Sequence, residues 1–170
     1  FGGDGNDTIT TTGYASDLIY GGAGNDSITS GSGSLDILYG GDGDDYIDGG
    51  AGNTQQYGDT GNDTLLGTAS NDTLVGGAGN DSLSASSDAD RLNGGTGVDT
   101  LTGGSGNDTF IWTTSSDSGI GSGNHDIVTD FTQGNDTIDF SGFTGARWIE
   151  QASFTSTANE ARYTQTGGNT

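Results

Sequence analysis

Aspartates recur along this chain at a spacing suited to one kind of chemistry. In order they are Asp7, Asp17, Asp26, Asp36, Asp45, Asp63, Asp72, Asp81, Asp90, Asp99 and Asp108, with Thr54 standing where a further one would fall. Steps are nine residues, except for two of ten residues that end at Asp17 and Asp36. Most are preceded by Gly-Gly-x-Gly-x, as in GGAGND from Gly21, GGDGDD from Gly40 and GGSGND from Gly103. Carboxylates and backbone carbonyls are hard oxygen donors, and a glycine at positive φ turns its carbonyl where a Cβ would resist. Calcium takes six to eight such oxygens at flexible geometry.

The candidate ligands follow from that pattern. Carboxylates come from Asp7, Asp26, Asp45, Asp63, Asp72, Asp81, Asp90, Asp99 and Asp108. Carbonyls come from Gly22, Gly24, Gly41, Gly43, Gly61, Gly77, Gly79, Gly95, Gly97, Gly104 and Gly106. An ion held between two successive turns makes every interior turn serve two sites, so loading is expected to be cooperative. Affinity is expected at roughly 10⁻⁴–10⁻³ M, as in exposed extracellular modules.

An apolar residue stands two places after each aspartate: Ile9, Ile19, Ile28, Leu38, Ile47, Leu65, Leu74, Leu83, Leu92, Leu101 and Phe110, with Gln56 as the exception. Each nonapeptide therefore supplies a six-residue turn and a three-residue strand. Such a repeat stacks into a parallel β-roll, a right-handed β-helix. Two repeats make one coil, and six coils at ~4.8 Å spacing give a rod on the order of 25–30 Å long. Consecutive turns fall on opposite edges. The edge of Asp7, Asp26, Asp45, Asp63, Asp81 and Asp99 keeps nearly all its glycines, and its six turns leave about five gaps, each able to hold one ion. The edge of Asp17, Asp36, Thr54, Asp72, Asp90 and Asp108 has lost glycines in four turns and the carboxylate at Thr54. It is expected to load less well, best towards Asp90 and Asp108.

The repeat covers residues 1–111, and residues 112–170 read as a second unit. Ile127–Phe131 and Thr137–Phe140 alternate as strands around Gln133-Gly134-Asn135, with further short strands at Arg147–Ile149 and Ala161–Thr164. We expect this segment to fold back as an antiparallel cap that buries the apolar end of the last coil. The fold class is thus all-β.

Composition alone points elsewhere. The net charge is -21, there are 35 glycines, and Leu, Ile, Val and Phe make up less than a fifth of the 170 residues. Such values usually mean disorder. Periodicity points the other way, because the few apolar side chains fall in register. Stacked turns still bring like charges together, so binding and folding are expected to be one event. Phosphates would be repelled, which argues against nucleic acid. With no Lys and only Arg91, Arg147 and Arg162, anionic lipid is disfavoured too. No run reaches membrane-spanning length, and without Cys there are no disulfides. The chain opens inside a repeat with no leader segment, which reads as a piece or processed product of a longer protein.

Residues 2–111 resemble the repeats-in-toxin (RTX) calcium-binding β-roll family. DTFIWTTSSDSG…HDIVTDFTQGNDTIDFSGF, from Asp108 to Phe143, is similar to the cap that follows the repeats in serralysin-type exported proteases. The resemblance implies type I export from a calcium-poor cytoplasm and folding outside, in the medium or on the cell surface. It also implies that Asp130 ligates a last ion. No His-Glu-x-x-His zinc motif is present, so the similarity covers only the non-catalytic part of such proteases, and the cap stops short near Gly167-Gly168.

Other features read more plainly. His125 is the only histidine and is expected to be a surface loop residue, so no catalytic role is assigned. Asp42, Asp44 and Asp88 add charge near calcium. The sequons at Asn62 and Asn71 fall out of the repeat. On one sheet the outward residues are mostly Thr and Ser, interrupted at Tyr46, Asp48 and Leu66; on the other they are Leu18/Tyr20, Ile37/Tyr39 and Gln55/Tyr57. Stacked tyrosines form a ladder, and an exposed apolar patch on a polar chain marks an interface. Its partner is a second copy of the chain or an N-terminal domain of the same protein. Three functional readings follow: a secreted calcium-folded module, a self-assembling extracellular protein, or the non-catalytic tail of a secreted hydrolase.

Overall fold

The computed structural model describes residues 1–33, 35–114, 116–117 and 125–142. Two parallel sheets face each other and exchange the chain at every turn. One contains β1 (Gly3–Asp4), β3 (Leu18–Ala23), β5 (Asp36–Asp42), β7 (Thr54–Thr60), β9 (Thr73–Ala78), β11 (Arg91–Thr96), β13 (Thr109–Ile111) and β15 (Thr137–Asp139), stacked in that order. The other contains β2 (Thr8–Thr10), β4 (Ser27–Thr29), β6 (Tyr46–Asp48), β8 (Thr64–Leu66), β10 (Ser82–Ser84), β12 (Thr100–Thr102) and β14 (Ile127–Val128). Odd and even strands on separate sheets make a parallel β-solenoid.

Register keeps one inward residue per strand in line. Ile28, Ile47, Leu65, Leu83, Leu101 and Val128 stack on one side, and Ile19, Leu38, Gln56, Leu74, Leu92 and Phe110 on the other. All are buried. A core one side chain thick per sheet suffices because strands of period two send every neighbour outward.

Strands of the second sheet are three residues long through β12, as the repeat predicts, whereas those from β3 to β11 on the first run to six or seven. Pairing there continues into the turn glycines, as in Gly22↔Gly41 and Ala23↔Asp42.

The expected antiparallel cap is not what the described residues form. β14 pairs parallel with β12, and β15 pairs parallel with β13, so both extend the solenoid. The reason is local: Asp126–Val128 and Asp136–Ile138 each repeat the aspartate-to-apolar spacing of the nonapeptide. Closure of the core end does occur, through aromatics. Trp112 stacks on Phe140 with centroids 5.3 Å apart, and Phe131 lies tilted against Phe110 at 6.2 Å. The strands expected at Arg147–Ile149 and Ala161–Thr164 lie outside the described residues.

Candidate metal centre

Each motif aspartate ends a turn directly before a strand, except Asp36, which opens β5. The backbone N–H of one donates to Oδ1 of the equivalent aspartate in the next coil. On the first edge Asp7 donates to Asp26, Asp26 to Asp45, Asp45 to Asp63, Asp63 to Asp81 and Asp81 to Asp99, all at 2.7–2.8 Å. On the second edge Asp17 donates to Asp36, Asp72 to Asp90 and Asp90 to Asp108, at 2.8–3.1 Å. Both edges therefore build the same ladder, and the loss of glycines on the second has not dismantled it.

The other carboxylate oxygen carries the chemistry. Oδ2 of Asp7, Asp26, Asp36, Asp45, Asp63, Asp72, Asp81, Asp90, Asp99 and Asp108 is buried without a hydrogen-bond partner. An unpaired buried charge is among the most costly groups in a protein. Burial pushes the carboxyls of Asp45, Asp63, Asp90 and Asp99 up to about 6, and those of Asp72 and Asp81 up to about 7. Neighbouring ladder carboxylates push most of them the same way.

Glycine is required around these oxygens for two separate reasons. At the first motif position a Cβ on Gly21 would overlap Asp26 Oδ2, and the same holds for Gly40 with Asp45 and Gly76 with Asp81. At the second and third positions φ is positive, 126° at Gly22 and 118° at Gly24. There the carbonyl of one coil faces the next: Gly22 O points at Gly41, and Gly43 O at Gly61. Where the second edge lacks glycine, Thr68, Ser70, Ser86 and Asp88 adopt the same left-handed backbone, with φ between 73° and 81°. That conformation costs roughly 1–2 kcal/mol per residue, so the turn shape is kept under strain.

The donor set suits calcium. Among the described residues no three acidic or imidazole side chains converge on one point, so a cation here relies on backbone carbonyls beside one or two carboxylates. That is the mixed hard-oxygen shell of calcium rather than the nitrogen and sulfur shell of zinc. The aspartates of both rows, with the carbonyls of Gly22, Gly24, Gly41, Gly43, Gly61, Gly77, Gly79, Gly95, Gly97, Gly104 and Gly106, are the residues that would hold it. Calcium would supply the positive charge the buried oxygens lack.

Past residue 111 the structure brings in residues the repeat pattern passed over. Asp99 donates to Asp126 Oδ1 at 3.0 Å and Asp108 to Asp136 Oδ1 at 3.1 Å, one step further on each edge. Their spacing of 27 and 28 residues from the previous rung, instead of 18, hid them; the Asp-x-apolar triplet was the available signal. Asp126 Oδ2 accepts from the indole of Trp112 at 2.7 Å, and burial pushes its carboxyl up to about 7. Asp130 accepts from Gly103 N at 3.0 Å and from Gly104 N at 2.6 Å, which ties it to the turn that ends at Asp108. Burial pushes Asp117 up, but bonds from Thr114 and Thr113 outweigh it and hold the carboxyl below its usual range.

The geometry defines a class: a parallel solenoid whose turns line up buried carboxylate oxygens and glycine carbonyls from coil to coil. RTX calcium-binding nonapeptide repeats match the chain in four copies, at residues 1–34, 35–55, 57–92 and 84–111. The chain belongs to that family. No curated protein and no solved structure matches it significantly.

Proposed function

We propose that this chain is a non-catalytic structural module that leaves the cell unfolded and orders outside, when calcium fills the gaps between its coils. The observation that carries this reading is the double row of buried carboxylate oxygens with no partner in the protein. Without a cation they oppose folding; with one they become its strongest tie. A calcium-poor interior then keeps the chain export-competent, and extracellular calcium supplies the switch. His125 does not suggest catalysis, because its neighbour Asp126 is already engaged by Asp99 and Trp112.

Circular dichroism of the purified chain tests the coupling. A β-type spectrum in millimolar calcium should become a disordered one on chelation, and a spectrum unchanged by chelator would sink the reading. Fractionating the producing cells tests the export: the chain should be in the medium or on the surface, and a purely cytoplasmic location would refute it.

A second reading is assembly through the first sheet's outer face. Phe1, Tyr20, Tyr39 and Tyr57 stack at 4.8 Å with planes within 12° of parallel. Leu18 beside them is exposed. Tyr20, Tyr39 and Tyr57 are half-buried, while Phe1 at the end of the stack is exposed. Sizing at high concentration in excess calcium decides: oligomers that vanish in Tyr20→Ser/Tyr39→Ser support it, and a strict monomer rejects it.

A further inference from the structure

Two coils of the second edge, those beginning at Gly67 and Gly103, seat a carboxylate oxygen under the first glycine of the turn, as the coils of the first edge do. One coil seats something else. A Cβ on Gly67 would meet Asp72 Oδ2, and one on Gly103 would meet Asp108 Oδ2; on Gly49 it would overlap Gln56 Nε2 and crowd Thr54 Oγ1. Gln56 interrupts the apolar column between Leu38 and Leu74 and is completely buried. Its amide nitrogen donates to Leu66 O at 2.8 Å and to Thr54 Oγ1 at 3.0 Å. Because a carbonyl can only accept, the nitrogen and not the oxygen must face Leu66. Thr54 in turn donates to Asp72 Oδ1 at 2.9 Å. A donor therefore occupies the seat that in other coils belongs to a metal-facing oxygen.

The end of the first edge follows the same logic. Asp126 is the next rung after Asp99, and its Oδ2 is met by the indole N–H of Trp112. In both places a neutral N–H group of the protein stands where a cation would otherwise be drawn.

We propose that the Thr54/Gln56 coil is a metal-free break in the second-edge row, with the Gln56 amide as an internal plug. The break separates the Asp17/Asp36 stretch from the Asp72/Asp90/Asp108 stretch, so the two load calcium independently. Gln56 Oε1 is left buried without a partner, but a neutral amide oxygen costs less to bury than an unmet carboxylate, so this coil has less need of an ion than its neighbours.

This inference rests on the calcium reading above, and the test separates the two. Calcium bound per chain is measured by equilibrium dialysis on the full chain and on two variants, with circular dichroism to confirm folding. Thr54→Asp alone should bind no more calcium than the parent, because Gln56 Nε2 satisfies the new carboxylate as Trp112 does Asp126. Thr54→Asp/Gln56→Leu restores the Asp-x-Leu pattern of Asp72 and Leu74. It should gain about two ions, one for each gap that position 54 borders. No gain in the double variant overturns the plug, and so does a gain in Thr54→Asp alone, which would make Gln56 a ligand. If the double variant fails to order, Gln56→Leu decides: an unchanged ion count with a raised calcium midpoint for folding supports the plug, and a lost ion overturns it. A parent chain that binds no calcium would instead remove the calcium reading itself.

Discussion

A motif aspartate has two oxygens with two employments, and separating them explains what each substitution should do. Oδ1 closes the ladder to the preceding coil, while Oδ2 is buried without a partner in the protein, where the proposed calcium would meet it. Asp63 sits mid-row, 1 % exposed, and borders two gaps. Asp17 stands at the start of its row and borders one. Asp63→Ala should therefore raise the calcium midpoint by on the order of tenfold or more, given that even outer-shell partners cost 10–100-fold in metal affinity. Asp17→Ala should cost less, and equal losses in a calcium titration would show that position within a row does not matter. The same oxygens set a pH dependence. In the ion-free roll Asp45, Asp63, Asp90 and Asp99 keep protons up to about 6, and Asp72, Asp81 and Asp126 up to about 7. The unfolded chain releases them near ~3.9. Between those limits the folded state binds more protons, so its stability is fully present below about pH 4 and lost as pH climbs through 6 to 7. Calcium-free protein should thus recover β-type dichroism at about pH 5 and lose it by about pH 7.5. Disorder at both would mean that a proton cannot stand in for the ion.

At the scale of the strand, alternation decides which side chains matter. Leu65 points inward between Ile47 and Leu83 and is fully buried, while Leu66, its chain neighbour, faces out from the same strand. Leu65→Ala should lower stability in saturating calcium by ~2–5 kcal/mol. Leu66→Ala should change it by less than about 1 kcal/mol. Denaturant unfolding of the two loaded variants checks this, and similar losses would place the strand in the opposite register. That alternation was legible in the sequence, because eleven inward positions recur at fixed distance from an aspartate. So were the two edges, and so was the stack of Tyr20, Tyr39 and Tyr57, since nothing but spacing determines them. The direction of the last strands was not legible. Their rungs at Asp126 and Asp136 arrive after an insertion, and a broken period looks like a new domain. The role of Gln56 was hidden for another reason: composition marks it as an exception, but only the contact with Leu66 O reveals what replaces the missing carboxylate.

For the molecule as a whole, the question is which part of its charge opposes folding. A net charge of -21 repels itself through solvent, and salt weakens that repulsion. The ladder oxygens carry a different penalty, the loss of water around a buried carboxylate, and mobile ions do not reach them. At 1 M salt the screening length is about 3 Å, so long-range repulsion between exposed charges is largely gone. Desolvation of an unpaired buried charge persists. If desolvation dominates, the calcium-free chain in about 1 M sodium chloride should stay expanded, near the radius of gyration of about 44 Å expected for 170 unfolded residues. Millimolar calcium at low salt should contract it about twofold or more, toward the about 16 Å of a compact chain of that length, somewhat larger for a rod. Small-angle scattering distinguishes the cases directly. Contraction in sodium chloride alone would show that the solenoid needs only its surface charge screened, and that the buried rows are not what couples its order to calcium.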